Sequence, residues 1–303
     1  MKYLAGPVQA SVAILYPVCR WLSHRDPTPY GVMADALRPR HMVTGEDGAL
    51  VATLRVGRDI SLFSRLDSTG PREQDGTWTL GELALNQSDE WYADPIRFRI
   101  LVRRALLAKA VDDTTSGETP SDVAVGLAWL LAQDPARPLS QSYREGPERA
   151  LNDQRLSSYI TGPAQWRPFL RWAVALGCAE LSHAGSRRLV LPDPTAALAE
   201  ELPPIPSAGL VARDFYDAIT KNLPVLDGGL ISEFMRKERA EVADPRGDAL
   251  VGPAFSLALR RLAAQGVIDL RPESDSPHRV NCMLHRELWT FDRVMHTNGN
   301  VDD

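Results

Sequence analysis

One pattern occurs twice in this chain, and it limits the possible folds more than any other feature. In each copy an amphipathic helix runs into a glycine, Gly177 or Gly266, and then into a short apolar segment. A polar turn and a basic second segment follow in both copies. Glycine commonly ends a helix in this way. The repeat therefore predicts two related units of a helix and two strands in the second half of the chain.

The two copies also begin alike. Gly162-Pro163 precedes the first helix and Gly252-Pro253 precedes the second. Proline is favourable at a helix start because the amide N–H that it lacks would have no partner there. Helix, glycine, strand, turn and basic strand is the sequence shape of a winged helix. We therefore predict a mainly α fold with small β wings, built from tandem winged-helix-like (helix-turn-helix) units.

Three units are predicted along the chain. Residues 1–90 form a weaker N-terminal winged-helix-like unit, in which three helices precede two strands. Residues 91–205 form a middle helical and winged-helix unit, and residues 210–296 form a C-terminal winged-helix unit. The linker at 202–207 is rich in proline, which fixes φ and biases the preceding residue away from helix. The tail, residues 297–303, is predicted to be disordered.

The charge and cysteine content favour a cytoplasmic protein that is not basic overall. The 303 residues carry a net charge of −5, and three cysteines lie far apart in the sequence. An odd, sparse set of cysteines argues against a disulfide framework or a zinc knuckle. We predict no membrane contact, because no segment is long and apolar enough for a transmembrane helix. Any DNA contact must come from local basic patches.

Arginines form such patches in both copies of the repeat. We predict DNA-binding roles for Arg167, Arg171, Arg187, Arg188, Arg260, Arg261 and Arg279. Residues 163–191 hold four arginines and one acid, whereas residues 254–280 hold four arginines and three acids. The middle unit is therefore the better candidate for phosphate contacts with double-stranded DNA. The alternative is that these arginines form ion pairs with other subunits.

Two further features have alternative interpretations. The basic helix predicted from residue 96 to residue 110 either faces phosphates or, as we favour, lies between core and solvent. Trp166, Phe169 and Trp172 are spaced to share one helix face. Such a stripe either stacks on bases or belongs to the core, and we predict the core.

No signature of catalysis is present. The six histidines are isolated, and no carboxylate spacing suggests a metal site. The glycines do not form the common nucleotide-binding motifs. We therefore predict a protein that is not an enzyme and that uses no cofactor or metal. Nuclease carboxylates scattered in the sequence are the alternative.

The layout resembles the DpdG family of the bacterial clusters that place deazapurine in DNA and restrict foreign DNA. The resemblance rests on the chain length, on Leu4-Ala5-Gly6-Pro7 with the apolar helix after it, and on the tandem units around Gly177 and Gly266. It implies a non-catalytic subunit of a multi-protein system that restricts phage or plasmid DNA. It carries over no site residues, because it includes no catalytic motif.

These observations predict a non-enzymatic DNA-binding or adaptor subunit of an antiphage or DNA-restriction complex. Its partners are double-stranded DNA and other subunits of that complex. One alternative is a pure protein–protein scaffold that uses the winged-helix units as docking surfaces. Another is a stand-alone winged-helix transcription regulator, which requires a symmetric dimer and paired half-sites.

Overall fold

Helices and short strands alternate along the described chain. A computed structural model describes residues 2–4, 10–37, 48–68, 70–86, 91–92, 94–238, 250–273, 278–284 and 287–297. Helix accounts for 50% of the chain and strand for 18%, and the strands form four small sheets. The motif residues 5–7 and the predicted disordered tail beyond residue 297 lie outside this description.

The first part of the chain places helices beside a three-stranded antiparallel sheet. The helices are α1 (Val12–Leu22), α2 (Tyr30–Leu37), α3 (Gly48–Asp59) and α4 (Glu82–Leu85). The strands β1 (Thr28–Pro29), β2 (Phe63–Ser68) and β3 (Gly76–Leu80) have the order β1-β3-β2. Trp78 is buried and donates its indole N–H to the carbonyl of Glu73 at 3.0 Å. The three predicted helices and two later strands are present, but β1, which was not predicted, lies between α1 and α2.

The middle part is built on one long helix. The helices are α5 (Pro95–Thr115), α6 (Asp122–Leu131), α7 (Pro147–Asp153), α8 (Pro163–Ala175) and α9 (Thr195–Glu200). The strands β4 (Leu139–Ser140), β5 (Ala179–Ala184) and β6 (Arg187–Pro192) have the order β4-β6-β5. The hydroxyl of Ser121 accepts a hydrogen bond from the amide of Ala124 at 3.2 Å, as expected of an N-cap. The hairpin predicted after Gly177 is the pair β5 and β6.

The last part holds two further sheets. Its helices are α10 (Ala212–Asn222), α11 (Leu230–Glu238) and α12 (Pro253–Ala264). One sheet, of order β7-β12-β9, consists of β7 (Leu210–Val211), β9 (Ile268–Arg271) and β12 (Arg293–His296). The other, of order β11-β10-β8, consists of β8 (Leu250–Val251), β10 (Val280–Leu284) and β11 (Glu287–Phe291), with β8 parallel to β10.

The predicted fold class, a mainly α chain of tandem winged-helix-like units with small β wings, is wrong. Strand makes up 18% of the chain and builds four three-stranded sheets within the described residues. In the C-terminal copy of the repeat, β9 and β10 do not form a hairpin: β10 pairs with β11, and β12 returns to pair with β9. Each sheet also includes a strand of only two residues. Strands this short are invisible to sequence periodicity, so the sequence understated the sheets.

The start of the repeated unit is confirmed in both copies. The helices α8 and α12 begin at Pro163 and Pro253. Gly177 and Gly266 follow these helices with φ angles of +74° and +68°. Glycine adopts this left-handed conformation without the steric cost that a side chain brings. The likeness ends after the first strand, because β5 pairs with the next strand and β9 with the last.

Side chains from different predicted units contact one another. Trp172 donates its indole N–H to the carbonyl of Ala10 at 3.0 Å. Arg261 donates to the carboxylate of Glu180 at 3.1 Å. The helix α11 packs against both α5 and α6. The unit boundaries near residues 90 and 205 stay predictions. These contacts show that the parts of the chain on the two sides of each boundary pack against one another.

Candidate nucleic-acid interface

A groove of about 1050 Å³ opens on the middle part of the molecule. Four segments form its walls: the beginning of α1, the turn after β4, the outer face of α8, and the hairpin of β5 and β6. Five arginines line this surface, which we call the arginine groove: Arg144, Arg167, Arg171, Arg187 and Arg188. Its volume lies at the upper end of the range for small-molecule sites, and it is open to solvent, which suits a larger ligand.

The helix α8 has a buried aromatic face and an exposed basic face. Trp166, Phe169 and Trp172 are fully buried, which confirms their predicted place in the core. Arg167 and Arg171 are exposed and lie one turn apart, and residues with this spacing share a helix face. The packing of the aromatic residues therefore turns both guanidinium groups towards the groove.

The hairpin brings a second pair of arginines to the groove. Gly185 has a φ angle of +61° in the turn between β5 and β6. Arg187 and Arg188 follow at the start of β6, and both are exposed. Val190, two residues further along the strand, is buried. The base of the hairpin is thus held in the core while its tip presents the two arginines.

Arg144 joins the site through a pairing that sequence analysis missed. The short strand β4 pairs with β6, with Leu139 opposite Val190. The amide of Gln141 then donates to the carbonyl of Arg188 at 3.0 Å. These bonds hold the turn that carries Arg144 beside the basic hairpin. A two-residue strand leaves no periodic signal, so nothing in the sequence around Arg144 indicated this position.

Positive charge dominates the arginine groove. Its acidic lining residue is Glu145, whose carboxylate accepts a hydrogen bond from the hydroxyl of Ser140 at 2.9 Å. Within the described ranges, none of the five guanidinium groups forms an ion pair. Like charges gathered in a concave surface create a local positive potential that attracts anions. The groove is therefore suited to an anionic ligand with several charges.

Apolar surface lies between these arginines. The aliphatic residues Leu170, Val174 and Leu181 line the groove together with Val12 and Ala13 of α1. Val174 is 37% exposed and Leu181 is 44% exposed. We call Leu170, Val174 and Leu181 the apolar floor. The groove thus combines cationic walls with aliphatic surface that water still reaches.

Two of the predicted DNA-binding residues lie outside the arginine groove, in ion pairs. Arg260 is 3.4 Å from the carboxylate of Glu287, and its guanidinium lies over the ring of Trp289, 5.3 Å from the centroid. Arg279 is 3.4 Å from the carboxylate of Asp292. The positive charge of both side chains is therefore largely matched within the C-terminal part.

Arg261 is the third predicted residue that lies outside the arginine groove, and it too forms ion pairs. It pairs with Asp193 and, at 3.1 Å, with Glu180. Glu180 lies in β5, and Asp193 directly follows β6. Arg261 of α12 therefore joins the C-terminal part to the base of the basic hairpin. Of the seven predicted residues, the structure brings together the four from the middle part of the chain.

The basic face of α5 is paired within the protein. Arg103 is fully buried and donates to Glu200 and Glu201, each at 2.7 Å. Arg104 pairs with Glu201 at 3.0 Å, and Arg99 pairs with Glu200. Burial lowers the pKa of Arg99, and the neighbouring charge of Arg103 lowers it further. Of the two interpretations of this helix, the contacts support the one that places it between core and solvent.

The described residues contain neither a metal-binding cluster nor a membrane span. No group of three or more histidine, cysteine, aspartate or glutamate side chains among them could hold a metal ion. No helix in the same ranges is long and apolar enough to cross a membrane. Cys19, Cys178 and Cys282 are buried free thiols, and burial raises the pKa of each.

Together, the fold and the groove define a helix-rich protein with one concave cationic surface. Residues 1–276 match the model of the family described as DpdG-like, so the chain belongs to this family, as its sequence layout predicted. Membership associates the chain with a multi-protein deazapurine DNA modification and defence system. Neither the curated proteins nor the solved structures contain a match.

Proposed function

We propose that this chain is a non-enzymatic DNA-binding adaptor subunit of a bacterial antiphage or DNA-restriction complex. The observation that carries the proposal is the arginine groove, in which five exposed guanidinium groups have no ion-pair partner among the described residues. Proteins hold DNA largely through phosphate contacts of this kind. The family context supports a role near DNA. A cytoplasmic location is part of the proposal and fits the three unpaired cysteines.

The proposed mechanism is recruitment. The arginine groove holds DNA phosphates, because a guanidinium group donates to phosphate oxygens in a planar, bidentate geometry. The net charge of −5 confines this contact to the groove, since an acidic surface elsewhere repels DNA. Other faces hold protein partners. Leu288 on the edge strand β11, which is 70% exposed, is one candidate for such a face.

A titration of labelled duplex DNA with the purified chain tests the DNA-binding part. We expect an affinity that falls as the salt concentration rises. The variant R167A/R171A/R187A/R188A should bind more weakly, and the slope of log affinity against log salt should become shallower by about 0.9 for each phosphate contact that is lost. These four side chains are exposed, so their loss should leave the fold intact.

A control with the same loss of charge separates the groove from net charge. The variant R97A/R149A/R260A/R271A removes four arginines that lie outside the groove in exposed or half-exposed pairs. We expect it to keep most of the duplex affinity. An equal loss of duplex affinity in both variants would show that binding depends on the overall charge and not on the groove. No duplex binding, either alone or with co-purified partners, would refute a DNA-binding role.

A protein–protein scaffold is the second candidate, and the acidic total charge favours it. In this case the arginine groove receives an acidic surface of another subunit. Pull-down from the native host distinguishes the two candidates. If the chain is a scaffold, R167A/R171A/R187A/R188A should lose protein partners, and high salt should release the same partners from the wild-type chain. The wild-type chain should then not bind DNA.

A further inference from the structure

We propose that the arginine groove takes a single DNA strand with unpaired bases in preference to a duplex. This inference rests on the proposed DNA-binding function and names the form of DNA that the site accepts. The ligand is one sugar–phosphate backbone with its bases turned inward. Such a ligand exposes negative charge on its phosphates and flat apolar surface on its bases. The arginines match the charge, and the apolar floor matches the base faces.

The apolar floor is the first argument for a single strand. A duplex presents phosphates and sugars on its outside and keeps the faces of its bases stacked within. It can therefore contact the arginines but offers little apolar surface to Val174 and Leu181, which are 37% and 44% exposed. An unpaired strand can turn its base faces onto these side chains and remove apolar surface from water on both sides.

The arrangement of the arginines is the second argument. They lie on several walls of one concave surface, on α8, at the tip of the hairpin and on the turn after β4. Arg167 and Arg171 are one helical turn apart, with about 5–6 Å between their Cβ atoms, which is similar to the separation of neighbouring phosphates along one strand. Pro163 at the start of α8 also lines the groove, so the positive end of the helix dipole lies beside it. Cationic side chains on several walls of one groove can follow a single backbone.

The aromatic side chains and the amide of the groove already have hydrogen-bond partners within the protein. Trp166 donates its indole N–H to the carbonyl of Gln141 at 3.0 Å, and the Tyr143 hydroxyl donates to the carbonyl of Ile160 at 3.1 Å. The side-chain amide of Gln141 donates to the carbonyl of Leu189 at 3.1 Å. Both aromatic rings are buried. The apolar floor is therefore the surface left for the faces of the bases, and we infer little preference for sequence.

Fluorescence anisotropy with the full-length chain tests this inference. The probes are a labelled 20-nucleotide single strand of mixed sequence, the blunt duplex of the same sequence, and a labelled poly-glutamate peptide. We expect the single strand to bind about tenfold more tightly than the duplex, the scale expected when roughly 50–60 Å² of apolar surface is removed from water. The slope of log affinity against log salt concentration should be about −0.7 for each phosphate contact of the single strand and about −0.9 for each phosphate contact of the duplex.

Variants of the apolar floor distinguish a single strand from phosphate contact alone. V174Q/L181Q changes two exposed side chains and leaves all five arginines in place. We expect it to reduce the single-strand affinity to the duplex level and to leave the duplex affinity unchanged. L288Q is the matched control, because Leu288 is an exposed leucine that does not line the groove. A thermal melt of each variant, compared with wild type, checks that the fold is intact.

The outcomes separate this inference from the proposed function. Equal or tighter binding of the duplex, or an unchanged single-strand affinity in V174Q/L181Q, overturns the inference and leaves the DNA-binding role in place. Binding to neither form of DNA overturns both. Binding of poly-glutamate without either DNA form also overturns both and supports the scaffold.

Discussion

Arg103 is a charged residue with no solvent exposure. Besides its bonds to Glu200 and Glu201, it donates to the carbonyl of Leu176 at 3.2 Å, just beyond the end of α8. A buried pair of this kind contributes little net stability, because desolvation offsets the attraction between the charges. Loss of one partner is different, since it leaves the other charge buried and unmatched. Arg103 therefore makes the junction of α5, α8 and α9 sensitive to a single substitution.

We expect R103M to lower the free energy of unfolding by about 3–5 kcal/mol, because Glu201 would keep only its pairing with the mostly exposed Arg104. Urea denaturation at neutral pH measures this change. R149A is the control: the side chain of Arg149 is 88% exposed, and its loss should change stability by less than about 0.5 kcal/mol. Similar values for the two variants would show that the buried cluster is not critical.

Asp122 predicts a pH dependence at the same scale. Its carboxylate accepts hydrogen bonds from the amides of Tyr3, Leu4 and Val123 at 2.7–2.9 Å, yet burial dominates and raises the pKa of Asp122. The folded carboxyl group therefore holds its proton at higher pH than the unfolded one. Its stabilising contribution is complete below the unfolded pKa and is lost as pH rises through the folded pKa.

The variant D122N isolates this contribution. We expect its free energy of unfolding to rise relative to that of wild type as pH increases through the range between the unfolded and folded pKa values of Asp122. Denaturation curves for the two proteins at a series of pH values give the difference. An offset that stays constant with pH would show that Asp122 titrates at the same pH in both states.

At the scale of elements, the β5–β6 hairpin depends on a residue distant in sequence. Five of the six residues of β5 are exposed, so the strand has little core packing of its own. Arg261 holds its base through Glu180 and Asp193. The C-terminal part therefore orients Arg187 and Arg188 without itself lining the groove.

We expect R261Q to loosen the hairpin and to weaken DNA binding several-fold, because arginines that are less fixed lose more conformational entropy on binding. Hydrogen exchange of the β5 and β6 amides measures the first effect, and a DNA titration measures the second. R260Q is the matched control, since Arg260 pairs with Glu287 instead. Unchanged exchange in R261Q, or equal effects in both variants, would contradict the proposed positioning role.

At the scale of the whole molecule, contacts cross the proline-rich linker. The helix α11, which follows the linker, packs against α5 and α6, which precede it. The middle part also contacts the first part of the chain, because the indole N–H of Trp172 donates a hydrogen bond to the carbonyl of Ala10. The parts before and after the linker therefore share buried surface and should not unfold separately.

Hydrogen exchange at increasing urea concentration tests this expectation. We expect the amides of α6 and α11 to lose protection at the same midpoint, because their burial is shared. Matching transitions in circular dichroism and tryptophan fluorescence would agree. Two separate midpoints would instead favour the independent C-terminal unit, residues 210–296, that the sequence suggested.

The sequence predicted local structure better than strand pairing. Proline at a helix start and glycine at Gly177 and Gly266 act on neighbouring residues, so their signals lie in the sequence. The return of β12 to β9 and the pairing of β4 with β6 depend on distant segments. Four of the seven proposed arginines converge in the groove, while Arg144 was missed because two residues of β4 position it.

The first residues of the chain form part of the candidate interface. Tyr3 and Leu4 are held by Asp122, Ala10 by Trp172, and residues 11–13 line a wall of the groove. A polypeptide shortened to begin at residue 14 would lack this wall and would leave the indole of Trp172 without its acceptor.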